Sequence, residues 1–261
     1  MKIIISPTKK MKAKDEGPGR LTEPVFLKET EKILTALKEK NYGELKELWH
    51  CSDKLATENY HIVEEMDLNR NLSAAILTYE GLVFKHMAPM VFTEEMYAYV
   101  NEHLRILSGF YGILKPFDGI TPYRLEMQSE LSVAGSKNLY DFWGDKLYRE
   151  LSKEKGQMII NLASEEYSKI IEKYLKPEDR ILNVIFGEVK KNKTGETQLD
   201  KFGNPKIVTK ATYAKMARGA MVRYMAENQV EDIESLKSFT FEGFACQENM
   251  SDENTLVYVK S

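Results

Sequence analysis

The sequence predicts a mixed α+β fold in one domain spanning residues 1–261, with a central sheet flanked by helices. Short apolar runs typical of buried strands occur at 2–5, 158–162 and 180–190, and again near the end of the chain. Segments with helical spacing lie between these runs, in an order too irregular for a repeated βαβ unit. The length of 261 residues is within the roughly 250–300 residues that one hydrophobic core can serve.

The first half of the chain contains several predicted helices. A strand at 2–5 leads into a loop at 7–20 that is rich in Lys, Pro and Gly. Apolar residues at helical spacing predict helices over 23–40 and 43–49, a third that begins at Ser52, and a fourth from the N-cap Thr93 to about residue 103. The run 74–79 predicts a strand, whereas 104–107 fits either a strand or the end of the preceding helix.

The second half of the chain contains most of the predicted strands. The segment 108–127 is dense in Gly, Pro, Tyr and basic residues and predicts an extended functional loop. The patterns that follow predict a helix at 139–153, a strand at 158–162, a helix at 164–174, a strand at 180–190, a polar hairpin at 192–204, a long helix at 209–228, and closing strands at 239–245 and 255–259.

Composition and charge give no indication of a strongly basic nucleic-acid-binding chain, a secretory signal or a membrane span. A hydrophobic fraction of 43% with 30% charged residues is ordinary for a globular chain, and a net charge of -3 gives no whole-chain attraction to nucleic acid. Any anion-binding surface must therefore come from local clustering of basic residues. The apolar start is too short for a secretory signal, and no run approaches the roughly 18 apolar residues of a membrane span. We expect a cytoplasmic protein without a membrane partner.

Cysteine and histidine usage indicates neither a metal site nor a cofactor. Cys51 and Cys246 are far apart, which gives no disulfide framework and no Cys-x-x-Cys motif. The four histidines are scattered, and adjacent residues such as His50 and Cys51 rarely point at the same ion. We therefore predict no metal ligand and no bound cofactor.

The first candidate for an anion site is the loop that contains Gly109 and Gly112. Two glycines three residues apart let backbone amides approach a ligand, and such amides can form an anion-binding nest. The apolar residues around them, and Ser108 beside them, suggest a helix-hairpin-helix-like element that grips DNA phosphates. A tight turn between packed elements explains the spacing equally well.

The second candidate is the end of strand 158–162, where Asn161 and Ser164 could line a cleft. Ser164 also predicts the N-cap of the next helix, and Glu165 and Glu166 in its first turn favour a structural capping role.

The third candidate is the helix at 209–228. Its residues Ala214, Ala217, Met221 and Met225 share one face that should pack inward. Lys215, Arg218 and Gly219 share another face, in the stretch with the strongest local excess of basic residues. Because a mid-helix glycine costs about 1 kcal/mol relative to alanine, Gly219 suggests a close approach to the backbone. The usual meaning of such a stripe is a solvated helix face.

Lys9 in the basic loop after the first strand is a weaker candidate, since a flexible loop explains it as well.

Six segments in fixed order also resemble the YaaA family of peroxide stress proteins. They are ISPTK (5–9), LSGFYGILKP (107–116), PYRLEM (122–127), LYDFWG (139–144), NLASEEY (161–167) and YAKMARG (213–219). The resemblance implies a cytoplasmic protein of the oxidative stress response that limits damage when peroxide meets free iron. It also implies a positively charged cleft and DNA binding through a helix-hairpin-helix, which would fall at 107–116.

Two hypotheses for function follow. The first is a stress protein that binds duplex or structured DNA without sequence specificity, through Lys9, Lys215, Arg218 and the Gly109–Gly112 loop. The second is an enzyme acting on a small anionic or nucleotide-like substrate. Its candidate catalytic residues are Tyr111, Glu126 and Lys215, and its candidate binding residues are Arg124, Asn161, Ser164 and Arg218. A shared concavity would favour the ligand site, and an open groove would favour DNA.

Overall fold

A mixed sheet with a parallel centre organises the chain. The computed structural model describes residues 1–13, 19–153, 156–199, 201 and 203–260. The strands are β1 Lys2–Ile5, β2 Lys10–Met11, β3 Ser73–Ala74, β4 Tyr79–Glu80, β5 Leu104–Ser108, β6 Gly112–Leu114, β7 Gly119–Ile120, β8 Met158–Asn161, β9 Arg180–Val189, β10 Ile207–Val208, β11 Thr240–Phe241, β12 Phe244–Cys246 and β13 Thr255–Lys260. The helices are α1 Leu27–Lys38, α2 Tyr42–Trp49, α3 Asp53–Glu65, α4 Ala75–Thr78, α5 Leu82–Met87, α6 Glu94–His103, α7 Leu139–Trp143, α8 Lys146–Leu151, α9 Glu165–Glu172, α10 Ala211–Glu227 and α11 Ile233–Lys237.

The large sheet has the strand order β11-β12-β13-β9-β8-β1-β5-β6, with β10 paired to β9. The five central strands are parallel, and the pairs at each edge are antiparallel. β1 is buried along its whole length, as expected for a parallel strand covered on both faces. The observed architecture confirms the predicted α+β class.

The register of the central strands decides where polar residues meet. Ile4 of β1 pairs with Asn161 of β8 on one side and with Arg105 of β5 on the other. Because β1 and β8 run in the same direction, the segments that follow Ile5 and Asn161 emerge side by side at one edge of the sheet. Ligands of sheets with parallel strands commonly bind at this edge.

The long helix α10 packs against α5, α6 and β9. Ala214, Ala217, Met221 and Met225 are buried, which confirms the inward face predicted from their spacing. Gly219 lies directly against α5, where a Cβ atom would overlap the carbonyl group of Val83. The close approach indicated by this glycine is therefore made by a neighbouring helix.

The structure corrects two predicted elements. The run 74–79 is not one strand, because Ala75–Thr78 form the helical turn α4 between the two-residue strands β3 and β4. The segment 107–116 does not form a helix-hairpin-helix. It contains the end of β5, a turn and β6, and Ser108 pairs with Gly112 across the hairpin.

Other predictions agree more closely with the observed elements. The ambiguous run 104–107 belongs to strand β5. The helical stretch 139–153 is divided into α7 and α8 at Gly144, which has a φ of 50°. The predicted loop at 7–20 and polar hairpin at 192–204 include residues 14–18, 200 and 202, which lie outside the described residues. Near the second segment, Lys191 bridges Thr197 and Leu199 bridges Pro205.

Within the described ranges, none of the helices combines the length and the apolar composition needed to cross a lipid bilayer.

Candidate ligand pocket

A cavity of about 340 Å³ opens at the edge where β1 and β8 end. Its volume is within the roughly 300–1,000 Å³ typical of small-molecule sites. Five separate segments of the chain line it. The lining residues are Ser6, Pro7, Thr8, Lys9, Lys10, Glu80, Gly81, Leu82, Val83, Tyr123, Arg124, Leu125, Glu126, Leu162, Ser164, Glu166, Tyr167, Lys215 and Arg218.

Two serines join the ends of the parallel strands at the base of this pocket. Ser6 follows β1, and Ser164 is the N-cap of α9 after β8. The Oγ atom of Ser6 accepts a hydrogen bond from the backbone N–H of Ser164 at 2.8 Å and lies 3.0 Å from its hydroxyl oxygen. The Ser164 side chain makes no capping bond to its own helix. Both hydroxyl groups therefore lie at the pocket and fix the two strand ends together.

The cationic group of the pocket consists of Arg124, Lys215 and Arg218. Lys215 and Arg218 are three residues apart on α10 and lie on the same side of that helix. Within the described part of the chain, none of the three forms an ion pair with a carboxylate.

The two guanidinium groups are incompletely satisfied. The Nε atoms of Arg124 and Arg218 are buried, and no described residue accepts a hydrogen bond from either. Burial lowers the pKa of Arg218, although an arginine remains charged at any physiological pH. A buried polar group without a partner costs free energy, and both guanidinium groups line the cavity, where their remaining N–H groups could donate to a ligand.

The acidic group of the pocket consists of Glu126 and Glu166, and Lys9 lies beside it. Lys9 forms an ion pair with Glu126 at 2.6 Å, and the Gln128 backbone N–H donates to Oε1 of Glu166 at 3.3 Å. Burial raises the pKa of Glu166, and the neighbouring charge of Glu126 raises it further, whereas Lys9 acts in the opposite direction. The two carboxylates are thus close enough to interact.

Buried tyrosines support the extended segment that presents Arg124 and Glu126. The hydroxyl of Tyr123 lies 2.6 Å from the Ser108 hydroxyl and 2.8 Å from the Tyr79 hydroxyl. Burial raises the pKa of Tyr123 to about 12, so the phenol is neutral at physiological pH. Tyr123 and Leu125 are buried, whereas Arg124 and Glu126 are partly exposed. This alternation is expected in an extended segment, where successive side chains point to opposite sides.

The structure brings together six of the residues predicted from sequence. They are Lys9, Arg124, Glu126, Ser164, Lys215 and Arg218. It does not bring Ser108, Gly109, Tyr111, Gly112 and Asn161 to the pocket lining.

The Gly109–Gly112 turn is buried in the core. A Cβ atom on Gly109 would lie 2.9 Å from the backbone of Glu126, and one on Gly112 would lie 2.8 Å from the Trp143 ring. The Trp143 indole N–H donates to the Gly109 carbonyl at 3.0 Å. The backbone N–H groups of the two residues between the glycines, Phe110 and Tyr111, donate to the Ser108 hydroxyl. Both glycines therefore provide close packing, which agrees with the alternative of a tight turn between packed elements.

Tyr111 and Asn161 are also engaged inside the protein. Tyr111 is fully buried, and its hydroxyl accepts a hydrogen bond from the Thr121 backbone N–H at 3.1 Å. The Asn161 side-chain amide donates to Asn183 at 2.8 Å and to Glu172 at 3.2 Å. Its carbonyl oxygen accepts from the Ala163 backbone N–H. Asn161 thus organises the strand end beneath the pocket.

Sequence reasoning missed Ser6 and Glu166 as lining residues. In sequence, Glu166 fits the usual pattern of an acidic residue in the first turn of a helix. Its electrostatic interaction with Glu126, which belongs to another segment, is therefore not recognisable from the sequence. Ser6 could have been predicted as a lining residue. It follows β1 just as Ser164 follows β8, and two neighbouring parallel strands end at the same edge of the sheet.

No group of three or more His, Cys, Asp and Glu residues in the described ranges could hold a metal ion.

The fold and the pocket together define a class: α+β proteins in which the parallel strands of a mixed sheet end at a cavity lined by unpaired guanidinium groups. A family model described as "Peroxide stress protein YaaA" matches residues 1–250. The chain belongs to this family.

The relatives of the chain match it along almost its entire length. A protein named "UPF0246 protein" from Lactiplantibacillus plantarum is 47% identical over 259 residues, which cover 99% of each chain. A protein of the same name from Agathobacter rectalis is 46% identical over 258 residues, covering 99% of this chain and 98% of its own. One from Limosilactobacillus reuteri is 47% identical over 259 residues, with 99% and 98% coverage.

Proposed function

We propose that this peroxide stress protein acts by binding a small anionic ligand, bearing phosphate or carboxylate, in the pocket at the end of β1 and β8. The observation that carries the proposal is that the guanidinium groups of Arg124 and Arg218 line this cavity and have no hydrogen-bond or ion-pair partner among the described residues. Phosphate and carboxylate groups match the planar donor geometry of guanidinium groups. Protection from iron-dependent peroxide damage would then be the cellular result of ligand capture.

The energetics support a ligand rather than a purely structural role. A hydrogen bond to a charged group contributes about 1.5–3 kcal/mol, and the pocket offers several such donors within one enclosed volume. A structural role would require acceptors from the protein itself, and among the described residues no acceptor reaches either Nε atom.

Duplex DNA is a second candidate ligand, because exposed lysines surround the mouth of the same pocket. The side chains of Lys9 and Lys10 are 60% and 79% exposed, and Lys215 is exposed as well. Lysines in such positions could contact backbone phosphates without distinguishing bases. Lys9 and Lys10 are, however, already paired with Glu126 and Glu80, which weakens their attraction for a polyanion.

The test compares the parent with the double variant Arg124→Met/Arg218→Met. Thermal unfolding would be followed with inorganic phosphate, pyrophosphate and citrate as probes, beside a gel shift with duplex DNA. We expect at least one of these anions to raise the Tm of the parent and to leave that of the double variant unchanged. Arg223→Met is the matched control, since Arg223 lies on the same helix and pairs with Glu227 outside the pocket.

The outcomes separate the two candidate ligands. DNA binding that persists in the double variant, without any anion effect on the parent, would overturn the proposal and favour binding along the exposed lysines. Anion binding by the parent that is lost in the double variant supports it.

A further inference from the structure

The pocket carries two chemically different groups of charged residues. Arg124, Lys215 and Arg218 can only donate hydrogen bonds, whereas ionised Glu126 and Glu166 can only accept them. Neither guanidinium group is paired with these carboxylates or with any other described one. A ligand that fills the cavity therefore meets unpaired donors in one part and, in another, carboxylates that accept from Lys9 and the Gln128 backbone N–H but have further acceptor positions.

The charge of the cationic group fits a phosphate monoester. Three cations without an ion-pair partner among the described residues face the cavity. A phosphate monoester carries about −1.5 to −2 charges at pH 7 and three strong acceptor oxygens. These oxygens can accept from both guanidinium groups and from the ammonium group of Lys215 together.

The acidic group favours a neutral part of the ligand that donates hydrogen bonds to the remaining acceptor positions of the two carboxylates. A small dicarboxylate offers no such donors at pH 7, and the charge of a dicarboxylate or of a free phosphate is repelled by Glu126 and Glu166. The hydroxyl groups of a sugar and the N–H groups of a base supply suitable donors without charge. The carboxylates thus select against an anion that lacks an organic part.

Apolar side chains form much of the remaining lining and suit a flat ring, while Ser6, Thr8, Lys10, Glu80 and Ser164 supply further polar positions. Leu82, Val83, Leu125, Leu162 and Tyr167 all contribute to the cavity wall. Apolar and aromatic side chains with a few placed polar groups are the usual composition of a site for a ring-containing ligand.

We infer that the ligand of this pocket is a nucleoside monophosphate, with its phosphate on Arg124, Lys215 and Arg218 and its sugar or base donating to Glu126 and Glu166. This inference rests on the proposed function and specifies the ligand of the same site.

Isothermal titration of the full chain tests the inference with five probes: adenosine 5′-monophosphate, guanosine 5′-monophosphate, ribose 5-phosphate, adenosine and inorganic phosphate. We expect one of the two nucleotides to bind at least about tenfold more tightly than each of the other three probes. Equal affinity for inorganic phosphate or ribose 5-phosphate would overturn the inference but leave the proposed anion site in place. Equal affinity for adenosine would show that the phosphate is not recognised. Failure of every probe to bind the parent would count against both the nucleotide inference and the proposed anion site.

A charge-neutral variant tests the role of the acidic group. In Glu166→Gln we expect phosphate to bind more tightly, because a repulsive charge is lost, and the nucleotide preference to fall several-fold. Glu165→Gln is the matched control, since Glu165 is the exposed neighbour in the same helical turn and does not line the cavity. A nucleotide preference that Glu166→Gln leaves unchanged would contradict the two-part assignment.

Discussion

Arg218 carries a charge whose burial costs folding free energy. Its guanidinium group is mostly buried, and its Nε atom has no acceptor among the described residues. Replacing a buried ion pair by apolar side chains of similar volume is often neutral or stabilising, and Arg218 has no carboxylate partner among the described residues that its replacement would leave unpaired. The proposed role in binding would explain why a costly group occupies this position.

We predict that Arg218→Met leaves the free energy of unfolding unchanged or raises it by about 1 kcal/mol, while anion binding is lost. Urea denaturation without ligand measures the first effect, and the anion-dependent change in Tm measures the second. Arg223→Met should instead lose roughly 0.3–0.5 kcal/mol, as for an exposed pair on a helix. A large loss of stability in Arg218→Met would assign Arg218 a structural role.

Glu166 should make the stability of the folded protein depend on pH. Burial raises its pKa above that of the unfolded chain, so the folded state favours the protonated carboxyl. This contribution is fully present below the ordinary glutamate pKa and is lost as the pH rises through the raised value.

We therefore predict that the stability of Glu166→Gln relative to the parent grows as the pH rises from about 4, near the ordinary glutamate pKa, and then levels off above the raised pKa. Glutamine cannot ionise, so it avoids the cost that the parent incurs. Urea denaturation at several pH values checks this. A difference that stays constant with pH, or matches that of Glu165→Gln, would refute the assignment.

At the scale of elements, the contact between α10 and α5 positions two walls of the pocket. Lys215 and Arg218 lie on α10, while Leu82 and Val83 begin α5. The helices approach closely because Gly219 has no side chain, and a Cβ atom there would also lie 3.0 Å from the Met87 backbone nitrogen. The helix-weakening glycine is therefore retained for packing.

We predict that Gly219→Ala destabilises the fold by about 2 kcal/mol, because backbone overlap with α5 exceeds the gain in helix propensity of about 1 kcal/mol. Ligand affinity should fall as well, since α10 must shift. Denaturation and titration measure the two effects. Ala220→Gly at the next position gives an upper limit on the propensity effect, because it also removes a methyl group that packs partly against the core. A more stable Gly219→Ala would disprove the close packing.

Periodicity was sufficient for most elements and insufficient for the short ones. The 3.6-residue pattern predicts α1, α3, α6 and α10 well, because each buries a continuous apolar face. The helical turn α4 is buried on every residue, so its four apolar and small side chains look identical to a strand. The Gly109–Gly112 hairpin was misassigned for a related reason, since glycine spacing cannot distinguish a ligand contact from a buried turn beside Trp143.

At the scale of the whole molecule, the site was only partly predictable. Residue type and local charge are enough to select four candidate anion-binding residues, because cations near a glycine or at the end of a strand are recognisable in sequence. These candidates are Lys9, Arg124, Lys215 and Arg218. The pairing of Glu126 with Lys9 and its contact with Glu166 depend on three distant segments meeting. No local pattern contains that information.

We predict that the pocket is required for peroxide resistance. In a bacterium that lacks its own member of the family, the parent chain should restore survival after hydrogen peroxide treatment, and Arg124→Met/Arg218→Met at equal abundance should not. Chelatable iron measured in the same cells should rise with the loss of survival. Arg223→Met controls for the loss of one cation outside the pocket. Full rescue of survival by the double variant would show that the pocket is not required for peroxide resistance.

The pocket draws its lining from residues between Ser6 and Arg218, so its last contributors lie far along the chain. During synthesis, the ribosome must therefore release the chain beyond Arg218 before the complete pocket can form. A ligand of the proposed kind would bind only after α10 has folded against α5, and it would then stabilise the folded state by an amount that grows with the ratio of ligand concentration to Kd.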